Sequence, residues 1–134
     1  MSDLHRTFVT FEASFEDDSE WSVTGDVLRP AGRNVLEALS NLLAQHGSHK
    51  AKVQQHEHYG WSLNISDKLW LLLQHSEQWL LMINRDKLGS ELNQQIEALK
   101  VALHTILSTD ARFSQIRWYT RAGYENNSSG APDP

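Results

Sequence analysis

Two strand-length runs, "KLWLLLQH" at 68–75 and "WLLMIN" at 79–84, constrain this chain more than any other stretch. In the first, Leu69, Leu71 and Leu73 alternate with Trp70 and Leu72; in the second, Trp79, Leu81 and Ile83 alternate with Leu80 and Met82. Successive side chains of a strand point to opposite faces, so both faces of both strands are apolar. Burying each such side chain is worth roughly 1.5–3 kcal/mol, and a soluble monomer seldom leaves several of them open together. A sheet with helices on one side therefore needs a second cover. The chain itself offers its N-terminal hairpin or the segment 21–29 for that role. Otherwise the cover is a second copy, a different protein or an apolar ligand. Closed two-fold dimers dominate soluble oligomers, so a homodimer is the favoured external cover. Trp70, Leu72, Leu80 and Met82 are the interface candidates.

The rest of the chain switches between two periods. Residues 7–16 alternate, with Val9, Phe11, Ala13 and Phe15 on one face, which predicts a half-buried strand. Asp17 to Glu20 reads as a turn, and Trp21 and Val23 as a short return strand before Gly25-Asp26. From Pro30 to His46, Val35, Leu36, Leu39, Leu42 and Leu43 form one helical stripe, with Pro30 in the first turn and Gly47 as terminator. Residues 50–66 alternate again and read as one strand, with Val53, Tyr59, Trp61, Leu63 and Ile65 opposite Lys52, Gln54, His56, His58, Ser62 and Asn64. Turns at Ser66-Asp67 and at 75–78 join it to the two apolar runs as a three-stranded meander. Gly89-Ser90 starts a second amphipathic helix through Leu92, Ile96, Leu99, Leu103 and Ile106. "RFSQIRWYT" closes the order as a strand with Ile116 and Trp118 on one side. The expected architecture is α+β: a two-layer sandwich with an antiparallel meander sheet and two amphipathic helices on one face, in the order β(β)-α-β-β-β-α-β. Residues 1–120 form its single domain, and the small polar and proline content of 121–134 predicts a disordered C-terminal tail.

A net charge of −5 argues against nucleic acid as a partner. The chain has no cysteine, which removes thiol nucleophiles, disulfides and cysteine-based zinc sites and fits a reducing compartment. The first twenty residues lack a signal-peptide pattern, and no apolar run is long enough to span a membrane. The expected location is the cytoplasm, with no membrane partner.

The stretch "QHEHYGW" at 55–61 carries the densest chemistry. In a continuous strand His56 and His58 would project to the same face. With Tyr59 beside them and Arg33 near the first helix they are the ligand-binding candidates. Zinc needs a third protein ligand that this stretch does not supply, so no metal is assigned. Gly60 marks a notch in the strand, with Trp70 as the candidate to fill it. Glu16, Asp17, Asp18 and Glu20 lack the spacing of a calcium loop and read as a solvated turn. Arg29 and Arg33 sit where an anion could meet a helix N-terminus, without a P-loop glycine pattern. No nucleophile elbow is present, so no catalytic residue and no cofactor is assigned. The five tryptophans all fall in strand segments and read first as core. The sequence thus points to a non-catalytic protein-interaction module, of the small acidic chaperone-like or immunity-like kind, that self-associates or binds a protein partner through an apolar sheet face. The alternative is a small-ligand-binding protein or enzyme with a pocket between sheet and helices near His56 and His58.

Overall fold

The computed structural model describes residues 6–47, 52–57, 59–75, 77–85 and 91–134. Its order is β1 (Arg6–Ala13), β2 (Glu20–Trp21), β3 (Val27–Arg29), α1 (Arg33–Gln45), β4 (Val53–His56), β5 (Gly60–Ser66), β6 (Leu69–His75), β7 (Trp79–Arg85), α2 (Glu91–Thr109), β8 (Phe113–Thr120) and α3 (Arg121–Glu125). The expected α+β sandwich is present. An antiparallel six-stranded sheet runs β4-β5-β6-β7-β1-β8, and β2 and β3 pair separately as a ribbon. No helix among the described residues is long and apolar enough to cross a membrane.

One face of the sheet is the core. Val9 and Phe11 of β1, Leu63 of β5, Leu69, Leu71 and Leu73 of β6 and Leu81 of β7 are buried there. They meet Val35, Leu36, Leu39 and Leu43 of α1 and Ile96, Leu103, Ile106 and Leu107 of α2. Both helices thus bury the apolar stripe that their 3.6-residue period predicts. The expected helix start at Gly89-Ser90 lies outside the described residues.

Helix α1 begins later than Pro30 implies, at Arg33 with Gly32 as its N-cap. Asp18, from the loop after β1, accepts hydrogen bonds from the backbone N–H groups of Gly32 and Asn34, both at 2.9 Å. A carboxylate at that position satisfies helix-end donors and complements the helix dipole. It also fills the place at the helix start that the sequence offered to an external anion beside Arg29 and Arg33. Gly32 is required by geometry. Its φ is +121°, and a Cβ there would stand 2.8 Å from the Trp79 ring.

Three features depart from the sequence reading. Residues 50–66 are not one strand: β4 ends at His56, Glu57 takes a left-handed φ of 54°, and β5 starts at Gly60. The meander therefore has four strands. Trp21 lies in the small ribbon and is 60% exposed, so it is no part of the core. In β8, Gln115 has a φ of 56° within a register shift against β1, which marks a bulge. The extra residue lets Phe113, of opposite sequence parity to Ile116 and Trp118, join them on the core face.

The turn into β8 is clamped by Asp110. Its carboxylate accepts from the backbone N–H of Arg112 at 3.0 Å and from its guanidinium at 3.0 and 2.8 Å. The Arg112 side-chain bonds, then its backbone N–H, lower the Asp110 pKa from 3.8 to about 2. A depressed carboxylate pKa contributes stability that is present above the unfolded value and lost as pH falls through the folded one. Solvent screening limits the effect to below about 1 kcal/mol. Asp110→Asn should therefore flatten the fall in urea midpoint between about pH 5 and pH 2 by that amount. An unchanged acid slope would mean that the clamp adds nothing.

Gly32→Ala should cost about 2–4 kcal/mol in urea unfolding, because left-handed strain and the Trp79 clash add. Gly47→Ala, at a φ of +94° with nothing within 4 Å of its Cβ, isolates the backbone part. It should cost about 1–2 kcal/mol. Equal losses would show that the Trp79 ring yields freely.

Candidate functional site

The face of the sheet away from α1 and α2 holds the second parity of the apolar strands. Cross-strand register places Ser62, Leu72, Met82, Phe8 and Tyr119 in one row across β5, β6, β7, β1 and β8. Trp70 lies one step along β6 from Leu72, in register with Asn84. A second row runs from His56 and Gly60 through Gln74, Leu80 and Thr10 to Arg117. Trp70, Leu72, Met82 and Phe8 are half-buried, whereas Leu80 is only 8% exposed.

Residues 121–134 lie against this face at its β8 end and do not form the disordered tail that their composition predicts. Thr120 caps α3, its hydroxyl accepting from the Gly123 N–H at 2.9 Å. Tyr124 then packs on Phe8 and Tyr119, with ring centroids 5.5 Å apart in both pairs. Past α3 the chain crosses Tyr119, where a Cβ on Gly130 would come within 2.7 Å of the ring. Ala131 then exchanges two backbone hydrogen bonds of 2.8 Å with Trp118 on the outer edge of β8. The strap ends on the helical side, with an Asp133 oxygen 3.7 Å from His104 Nε2 of α2. His104 Nδ1 accepts the indole N–H of the fully buried Trp118 at 3.1 Å, so the neutral ring carries its proton on Nε2, toward Asp133. Neither the N-terminal hairpin nor the segment 21–29 supplies this cover. Leu28 and Pro30 instead accept hydrogen bonds from Gln55 and Trp61, whose side chains leave β4 and β5 on the core-facing parity.

Between α3 and the β6–β7 turn lies a cleft of about 500 Å³, lined by Glu77, Gln78, Thr10, Tyr119, Tyr124 and Glu125. Asn127 and Ser128 of the strap complete its rim. No lysine or arginine is among these residues. Thr10 is 4% exposed, and its Oγ1 is buried without a hydrogen-bond partner among the described residues. Such an unpaired hydroxyl costs free energy that a partner atom would recover. Glu125 pairs with Arg121 at 3.1 Å, both largely in solvent, and Glu77 has no ion-pair partner among the described residues.

The ligand-binding candidates do not converge. His56 ends β4 on the outer parity and meets Tyr59 edge-on, with centroids 5.4 Å apart. Tyr59 belongs to the β4–β5 turn and lines a separate shallow cleft with Trp21, Pro30 and His75. Arg33 lies at the opposite face, paired with Glu37 at 3.0 Å and 5.9 Å above the Trp61 ring. His58 lies outside the described residues. The strand that was expected to carry both histidines ends at His56, where Glu57 turns left-handed. Gly60 is opposite Gln74, and a Cβ there would stand 2.7 Å from the Leu73 carbonyl oxygen, so Trp70, in register with Asn64 further along, does not fill the notch. Among the described residues no three His, Asp or Glu side chains gather as a cation cage.

Thr10, Tyr119, Tyr124 and the two glutamates were missed as site residues. An aromatic residue four positions after a threonine that can cap a helix was the available signal in "TRAGYEN". Comparison of the chain with protein-family models, curated proteins and solved structures gives no match. The geometry therefore carries the functional argument alone.

Thr10→Val replaces an unpaired buried hydroxyl with a methyl group of the same shape. The variant should be neutral or gain up to about 1 kcal/mol in urea unfolding. A loss of similar size would show that the hydroxyl has a hydrogen-bond partner in the free protein.

Proposed function

We propose that this chain is a protein-interaction module that holds a protein partner on the outer face of its sheet. The observation that carries the reading is the half-buried row Leu72, Met82 and Phe8, extended by Trp70 and bounded by Tyr124 of α3. It is continuous, it lies on a rigid sheet, and the strap covers one end of it only. A tryptophan and a methionine beside aromatic rings are residue types enriched at protein interfaces. Flat hydrogen-bonded strands hold such side chains in place, so little ordering entropy is lost on docking.

The partner is basic rather than a second copy. Two copies each carrying a net charge of −5 repel one another, whereas a cationic partner is steered and selected by complementarity. The same charge disfavours nucleic acid. Leu80 is not part of the contact, because it is buried within the chain itself. A pocket between sheet and helices is not proposed, since the buried aliphatic side chains of both layers occupy that space.

Leu72→Glu and Met82→Glu should each keep the wild-type circular dichroism spectrum. Either should reduce binding of a partner captured by the wild type by about tenfold or more, read by surface plasmon resonance. Leu80→Glu should instead unfold the chain, because it places a charge in a buried site. If both exposed-row variants retain full affinity, the outer face is not the docking surface. A mass of twice 15.3 kDa by light scattering, lost in Met82→Glu, would replace the basic partner with a second copy.

A further inference from the structure

We propose, resting on the docking face proposed above, that α3 and the strap after it are a self-masking lid on that face. A partner must displace the lid to reach Phe8 and Tyr119. Register carries the outer row Leu72, Met82, Phe8 and Tyr119 unbroken from β6 to β8. Tyr124 stands on the far half of this row, its ring centroid 5.5 Å from that of Phe8 and from that of Tyr119. The contacts are tilted and edge-on, the arrangements that aromatic rings favour. A side chain from the chain's own end thus occupies the ground that a partner's anchor would take, and it shows the kind of anchor that the row accepts.

The lid is held by several weak contacts and no strong one. No residue from 121 to 134 is buried, whereas Val35, Leu36, Leu39, Ser40 and Leu43 of α1 all are. α3 has five residues, far short of the length at which a helix is stable on its own. Its Arg121–Glu125 pair lies largely in solvent, where such pairs add little. The strap is tied to β8 by the bridge between Ala131 and Trp118. Pro132 and Pro134 have no N–H, so that bridge does not lengthen into a ladder. Beyond it, Arg6 Nη1 donates to the Asp133 carbonyl oxygen at 3.3 Å, and His104 stands 3.7 Å from an Asp133 carboxylate that is largely in solvent. Segments of this kind open locally, at far less cost than global unfolding. The sheet beneath is complete without them, since β1 and β8 pair from Arg6 with Thr120 to Ala13 with Phe113. Opening therefore bares Phe8 and Tyr119 and leaves the core intact. While the lid is mostly closed, a partner that needs the whole row binds more weakly in proportion to the fraction of molecules that are open.

Hydrogen exchange of the full chain is the first readout. The amides of Trp118, Gly123, Ser128 and Ala131 have their acceptors within the lid or across its bridge. They should exchange about a hundredfold or more faster than those of β6. Two variants then weaken the lid at separate points. Tyr124→Ala removes the ring over Phe8, and Ala131→Pro removes the N–H donated to Trp118. Both should keep the wild-type circular dichroism spectrum and raise the fluorescence of added anilinonaphthalene sulfonate, a dye for exposed apolar surface, about threefold or more. Adding Met82→Glu to either should remove that gain. Lid amides as slow as those of β6, no dye gain in either folded variant, or a gain that survives Met82→Glu would each overturn the proposal. Failure of the docking face itself would appear elsewhere, as full partner affinity in the single variant Met82→Glu.

Discussion

Insertion of β1 between β7 and β8 is the constraint on which the rest of the structure depends. The first strand of the chain pairs on one side with residues near 80 and on the other with residues near 118. Val9 and Phe11 are fully buried at that junction, and they can be so only when both late strands are in place. The two helices follow from it. α1 covers the β4 and β5 half of the sheet, α2 lies against β8, and the buried leucines of both meet over the central strands. Contacts this distant in sequence carry a large loop-closure cost, so the sheet closes late in folding. The meander β4 to β7 is local by comparison and can form before it.

Much of this was legible from periodicity alone. The faces of β1, β6 and β7 and the stripes of α1 and α2 follow from spacings of two and of three to four residues. Their burial follows that reading at most positions, with Leu42 half-buried and Thr10 and Leu80 buried on the opposite parity. The break in the fourth segment was not legible, for a geometric reason. His56 pairs with Gly60, four positions on, and an even offset returns the chain to the same parity. The alternation of apolar and polar residues therefore passes through the hairpin unbroken, and the turn carries neither proline nor glycine to announce it. Phe113 was hidden by the opposite effect, since the bulge at Gln115 shifts its parity without altering the apparent pattern. The tail was hidden by composition. Its serines, asparagines and prolines resemble a solvated end, yet a single tyrosine and a capping threonine anchor it.

The interface candidates divide along the same lines. Trp70, Leu72 and Met82 share the outer face half-buried, as their parity requires, and only Leu80 is fully buried. The ligand candidates failed because parity says nothing of which layer a distant residue joins. Arg33 and His56 are separated by the thickness of the sheet. The outer face thus has two parts: one lies against the short helix α3, and the other is a half-open apolar row beside it. Where they meet, carboxylates, tyrosines and one orphan hydroxyl form the cleft. Recognition sites in general combine apolar area with a few directed polar contacts, which separates affinity from selectivity.

The pairing of Ala131 with Trp118 has a consequence for assembly. Val9 and Trp118 are partners whose facing positions leave the Trp118 backbone groups pointing away from β1, and the strap takes those groups. At this one position the β8 margin is closed to strand addition. β4 remains as the other margin, four residues long and composed of Val53, Gln54, Gln55 and His56. A sheet with two open margins can polymerise, each copy accepting one neighbour and offering itself to the next. A bridge at one residue interrupts the run of backbone groups that an incoming strand would need along β8. The strap at Ala131 therefore stands across the path of edge-to-edge growth at this margin, much as a bulge or a charge does on other edge strands.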